Sequence, residues 1–329
     1  MQDSPISYQE WRDAGTEWSW GRHTVFYRMI DRKDDSGVQS TAPLLLIHGF
    51  PTCSWDWSWM TDSLAEHFPL IAPDLLDYGQ SRNPSGKACS IHDQADMIEG
   101  LLEHLGQAHV HILAHDVGDT VAQELLARQI EKRLPFQILS CVFLNGGLLP
   151  DLHRPRPVQK ALAGPFGWFI AHLADSHKML AGFADVFSED HRPNAEQLEA
   201  FWPTIIGMNG RGSFSRRIRY MKERRRFAQR WVGALKGTTA PLMLINGLAD
   251  PVSGAHVADG FRVRVPDGRI ARLAGIGHYP QVEAPDEVLT AFYGFHKIGQ
   301  TVQPPPETTA SAPSDMTGPA GNASLTAAD

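Results

Sequence analysis

Cysteine, long apolar runs and net positive charge are all scarce in this chain of 329 residues. The three cysteines, Cys53, Cys89 and Cys141, are odd in number, far apart and without metal-ligand spacing. That argues against a disulfide framework and for a reducing compartment. No apolar run approaches the ~20 residues of a membrane span, and residues 1–15 are polar and acidic, so neither a spanning segment nor a signal peptide is expected. A net charge of -7 argues against a nucleic-acid partner and sets no substrate class. The expectation is a soluble cytoplasmic protein with no nucleic-acid and no membrane partner, as monomer or homodimer. Hydrophobic residues make up 42%, ample for a large core.

The most informative stretch present is Ala114, His115, Asp116, Val117 and Gly118. Residues 109–114 read as a short buried strand and residues 119–128 as a helix with an apolar inner face. A turn this tight needs small flanks, and Ala114 and Gly118 supply them in the small-x-nucleophile-x-small pattern that pushes the central side chain above a sheet. That side chain is a carboxylate, so the covalent intermediate expected is an alkyl ester of Asp116, made by displacement at a saturated carbon. Taken alone, Asp116 also reads as an N-cap of the helix that follows. Three further segments outweigh capping. Residues 44–52 form an apolar strand breaking into a Gly/Pro turn, residues 242–250 a buried strand ending in Asp250, and residues 272–278 a strand ending in His278.

Residues 18–32 read as an opening pair of strands before a polar turn at 33–37, residues 55–68 as a helix, 69–73 as a strand, 91–105 as an amphipathic helix and 138–145 as a strand. Strands alternating with helices imply a mostly parallel sheet covered on both faces. From Pro150 to about Leu235 only helical segments occur, which predicts a helical cap over the mouth of the sheet, where such folds bind ligands. The organisation expected is a core over 1–149 and 237–299, an inserted all-helical cap over 150–236, and a disordered tail over 300–329, low in apolar anchors.

With these residues in place the chain resembles the epoxide hydrolase and haloalkane dehalogenase branch of the α/β-hydrolases, over about residues 18–297. Within that branch it resembles the mesoderm-specific transcript group, through residues 48–52, 115–126, 145–147, 153–155, 230–235 and 278–281. The resemblance implies an α/β-hydrolase fold, with Asp116 as nucleophile, His278 as the base that activates water and Asp250 orienting the imidazole. It also implies an oxyanion hole from the backbone N–H groups of Phe50 and Val117, and no cofactor.

The branch opens epoxides with two cap tyrosines, and between Pro150 and Leu235 this chain has only Tyr220. His153 is the candidate second donor, and Trp55 a candidate pocket wall. Dehalogenases of the branch carry a Trp after the nucleophile and often an Asn after the His-Gly pair; here those positions are Val117 and Phe50. A fluoroacetate-type dehalogenase carries Arg where this chain has Val117. The function implied is therefore hydrolysis of a small hydrophobic epoxide to a vicinal diol, with haloalkane dehalogenation or a non-catalytic binding role as alternatives.

Among the remaining signals, the cations from Arg216 to Arg230 read as a solvated cap face. His109, His111 and His115 lack the carboxylate or Cys that would complete a metal site, and none is expected. Residues 209–212 read as a turn between cap helices, and the sequon at 322–324 as chance.

Overall fold

Eight strands, β1 (Thr16–Trp20), β2 (His23–Ile30), β3 (Leu44–Ile47), β4 (Leu70–Pro73), β5 (His109–His115), β6 (Gln137–Leu144), β7 (Leu242–Gly247) and β8 (Arg269–Leu273), form one sheet. Its order is β1-β2-β4-β3-β5-β6-β7-β8. The computed structural model describes residues 3–33, 42–173 and 175–298; most of the expected turn at 33–37, and the expected tail and its sequon, lie outside them. From β4 onward every pairing is parallel, and β2, paired antiparallel with both β1 and β4, is the one strand that runs against the others. Every residue of β3, β4 and β7 is buried. Such unbroken apolar runs suit parallel strands covered on both faces, and the mostly parallel sheet is the one expected.

Two elements depart from the sequence reading. Residues 55–68 do not form one helix but a 3-10 turn, Ser54–Trp57, and a single helical turn, Thr61–Leu64. Trp55 and Trp57 are both buried, and side chains two apart leave an α-helix on opposite faces, so one helix would expose one of them. The strand expected to end in His278 stops at Leu273. A left-handed turn at Gly275, φ 74°, carries the chain into the loop that bears His278.

Between β6 and β7 the described residues contain helices and no strand. The last of these, Ala228–Gly237, falls within the stretch the sequence assigned to the cap, yet it lies along the helix Val117–Ile130, burying Trp231, Ala234 and Leu235. One carboxylate makes that junction. Glu124 accepts from Arg230 Nε at 2.7 Å, Trp231 Nε1 at 2.8 Å and Arg128 Nε at 3.0 Å, with His92 Nδ1 at 3.1 Å. Burial alone would raise the Glu124 carboxyl, but these donors hold it at about 2.

Candidate active site

The turn between β5 and the helix Val117–Ile130 holds Asp116 at φ 45°, ψ -105°, a region that costs a non-glycine residue of order 1–3 kcal/mol. Close backbone packing fixes it. A Cβ on Gly118 would lie 2.3 Å from the Ile47 carbonyl oxygen, and one on Gly49 would lie 2.5 Å from His115 Nδ1 and 3.0 Å from Asp116 Cβ. The Asp116 side chain makes no capping bond to its helix. Instead one oxygen accepts from the Phe50 backbone N–H at 3.2 Å and the other from Arg224 Nη2 at 3.1 Å. The Phe50 peptide is held at its other end too, because Tyr279 Oη donates to its carbonyl at 3.0 Å.

Arg224, from the helix Tyr220–Arg226, is 2% exposed. Nη2 also donates to the Asp116 carbonyl at 2.7 Å and Nε to Thr120 Oγ1 at 2.7 Å. Burial would raise the Asp116 carboxyl; the Arg224 guanidinium, with His278 and His115, outweighs this and keeps it ionised below its ordinary value. The sequence reading of a solvated basic face is thus corrected for three of its cations. Arg217 and Arg224 are buried, and Arg216 forms a two-pronged ion pair with Asp77 at 2.8 and 2.9 Å.

His278 Nδ1 lies 2.8 Å from Asp250 Oδ2. That oxygen also accepts from Ser253 Oγ at 2.6 Å and Asn145 Nδ2 at 3.0 Å, while Oδ1 accepts from the Val252 N–H at 2.7 Å. Burial opposes ionisation of Asp250, but His278, Ser253 and Asn145 bring it down to about 2. For His278 burial favours the neutral ring, whereas Asp250 and then Asp116 raise its pKa above the ordinary value. Its loop is held by Glu283, which accepts from the backbone N–H groups of Gly277, Tyr279 and Ser188 at 2.8, 3.0 and 3.0 Å. His115 Nε2 lies 2.8 Å from the His278 carbonyl and must donate to it; burial lowers the His115 pKa to about 3, so the ring is neutral.

Tyr220 and His153 also face this cluster. The Tyr220 ring stacks under Arg224, 4.5 Å from the guanidinium carbon. Its buried hydroxyl meets no partner with hydrogen-bond geometry among the described residues, and burial followed by the Asp116 charge pushes the phenol well above its usual pKa. Neither ring nitrogen of His153, nor Arg224 Nη1, has a partner among those residues. A Cβ at Gly147 would stand 2.4 Å from Arg224 Nη1 and 3.1 Å from His153 Nδ1, so both groups crowd that bare position. Burial and then Arg224 lower the His153 pKa to about 3. It is a neutral imidazole and holds no acidic proton to give at neutral pH.

Trp55 lies elsewhere. Its indole N–H donates to the Ile6 carbonyl at 3.1 Å, and its ring packs on Tyr8, Trp59 and Phe201 beside a separate surface groove. The 3-10 turn directs it toward the N-terminal segment, so it is no wall of the Asp116 site. A mostly apolar cavity of about 150 Å³ adjoins that site through His278, walled by Phe50, Leu162, Phe183, Phe214 and Tyr279 among others. Sequence reasoning missed Arg224, Tyr279 and Glu283. Tyr220 and Arg224 stand four apart on one face of their helix, but Arg217 belongs to a separate short helix, so no continuous helical period picks Arg224 out from its charged neighbours.

Residues 42–285 match the family described as alpha/beta hydrolase fold. The chain is 36% identical over 279 residues to LipZ of Mycobacterium tuberculosis, covering 85% of this chain and 94% of that one. It is 34% identical over 294 residues to the human mesoderm-specific transcript homolog protein, covering 87% and 86%. Among solved structures, the haloalkane dehalogenase DbeA from Bradyrhizobium elkani superposes with a TM-score of 0.70 at 23% identity, over 86% of this chain and 98% of that one, a likeness of fold. The family match, with a mostly parallel eight-stranded sheet and a charged turn at the end of β5, makes this chain a member of the alpha/beta hydrolase fold family.

Proposed function

We propose that this hydrolase opens epoxides to vicinal diols through an ester of Asp116. The observation that carries the reading is an ionised carboxylate held between the Phe50 N–H and Arg224, with the His278–Asp250 pair beside it and an unpartnered phenol above. An Asp116 oxygen attacks an epoxide carbon, the C–O bond breaks, and the ring oxygen takes the Tyr220 proton. Arg224, stacked on that phenol, steadies the charge that passes to it. His278 then removes a proton from water as the water adds to the Asp116 ester carbon, with Asp250 holding the imidazole. The oxyanion meets the N–H groups of Phe50 and Val117. Its collapse expels the diol oxygen, which takes the proton from His278. The freed Asp116 acid ionises, and that proton restores Tyr220.

Arg224 here takes the second-donor place that the sequence gave to His153. Its unpartnered Nη1 also suits a departing halide, which keeps dehalogenation as the second reading. One variant separates the readings. Attack needs no base and ester hydrolysis does, so His278→Gln should react once and stall, leaving an adduct on the peptide carrying Asp116. Intact mass should rise by the whole epoxide; a gain of the alkyl group alone, from a haloalkane, would establish dehalogenation. No adduct with a substrate that the wild type turns over would defeat the ester mechanism, and no turnover of either class would favour a binding role.

A further inference from the structure

Among the described residues ten large apolar side chains are exposed, and six of them, Val158, Phe166, Trp168, Phe169, Ile170 and Leu173, fall within residues 158–173 of the cap. Phe166 is 74% exposed, Leu173 68% and Trp168 59%. Apolar side chains scattered singly need no explanation; a cluster such as this one does. The segment itself carries cations and no acid, although Asp151 and Asp175 flank it and Arg156 pairs with Asp185 at 2.9 Å. Residues 152–174 contain no Asp or Glu but do contain Arg154, Arg156 and Lys160. Trp168 shares a surface groove with Arg219 and Lys222, both exposed. A chain of net charge -7 has thus gathered cations beside its exposed aromatics.

We propose that residues 158–173 dock on an anionic lipid surface. Aromatic and aliphatic side chains rimmed by Lys and Arg are what an interfacial segment needs, since burial of the apolar face and attraction to acidic headgroups add. No helix among the described residues is long and apolar enough to cross a membrane, and a segment lying in the interface requires none; the sequence expectation of no membrane partner considered only spans. A second copy fits less well, because a two-fold contact sets the same patch against itself and brings the two cationic rims together. Residues 299–329 hold no aromatic residue and only Val302, Met316 and Leu325 as large apolar side chains, too few to cover the patch. The helix Pro157–Leu162 gives both Leu162 and the exposed Val158 to the wall of the cavity that reaches His278, so Val158 belongs to the patch and to the cavity mouth. Docking would therefore set that wall against the acyl layer and favour lipophilic substrates. Only this last consequence rests on the hydrolase reading.

Co-sedimentation of the full chain with vesicles of phosphatidylcholine, alone or mixed with phosphatidylglycerol, tests the docking. Binding is expected to the mixed vesicles and to weaken with salt. The exposed pair Trp168→Ser/Phe169→Ser should bind at least about tenfold more weakly with an unchanged melting temperature. Arg219→Gln/Lys222→Gln should lose about fivefold per cation removed. His278→Gln should bind as the wild type does, so docking and catalysis fail independently. Three results would overturn the proposal: no binding to mixed vesicles, undiminished binding by the serine pair, or a wild-type dimer that the serine pair splits into monomers. Equal binding to both vesicle types would overturn the anionic assignment.

Discussion

The floor of the site and its roof are built on opposite terms. In the floor, Asp250, Asn145 and the Phe50 peptide each have their polar groups engaged: Asn145 alone donates to Asp250 and Gly247 and accepts from the Gly247 N–H. In the roof, the Tyr220 hydroxyl, Arg224 Nη1 and both nitrogens of His153 are buried without hydrogen-bond partners among the described residues. A buried polar group left unmade costs about 1–3 kcal/mol, so several in one place mark where a folded protein holds capacity in reserve. The floor is preorganised, and the roof waits for a ligand atom.

Removing the floor should have the largest effect. Asp116→Ala should abolish turnover, by about 10⁴-fold or more, and should form no adduct even with His278 intact. The roof should cost less, and at a different step. Tyr220→Phe should slow ester formation by about 10²-fold or more, in line with lost general-acid help, as read by single-turnover kinetics with ester hydrolysis unchanged. Wild-type rates in that variant would leave the phenol without a role. Arg224→Met should let the Asp116 pKa climb, because burial would no longer be opposed by the guanidinium. The acid limb of the single-turnover pH profile should then move to higher pH, and an unmoved limb would show that Arg224 does not set the charge of Asp116.

Asp250 supplies a stability test of the floor. Its folded pKa of about 2 lies below the ordinary carboxylate value. Its contribution is therefore fully present above pH ~4 and is lost as pH falls toward 2, of order 2 kcal/mol. Acid titration of wild type and Asp250→Asn should converge over that window, by chemical denaturation. The smallest effect belongs outside both regions: Trp55→Phe should leave kcat and KM near wild type while costing about 1 kcal/mol through the lost bond to Ile6.

The contrast also explains what the sequence could disclose. Asp116, Asp250 and His278 follow strands, and turns at strand ends leave local signatures: Gly118 because a Cβ would strike the Ile47 carbonyl, Gly275 because φ is positive. The parallel sheet was legible for the same reason, in the unbroken apolar runs of β3, β4 and β7. Arg224 was hidden among like-charged neighbours, and which of them turns inward depends on how short, broken helices seat against the core. Tyr279 and Glu283 act on backbone groups, Tyr279 on Phe50, which is 229 residues away in sequence. No local pattern encodes such a contact. Trp55 misled because an aromatic near the site and an aromatic in it look alike until the turn that aims it is known.

The Glu124 junction has a mechanical consequence. It rivets the helix Ala228–Gly237 to the core directly after the short helix that carries Tyr220 and Arg224. Any swing of the helices between β6 and β7 on this stalk would be a rotation about a pivot, and points near a pivot sweep short arcs. The guanidinium above Asp116, close to that pivot in the chain, would therefore scarcely leave its place.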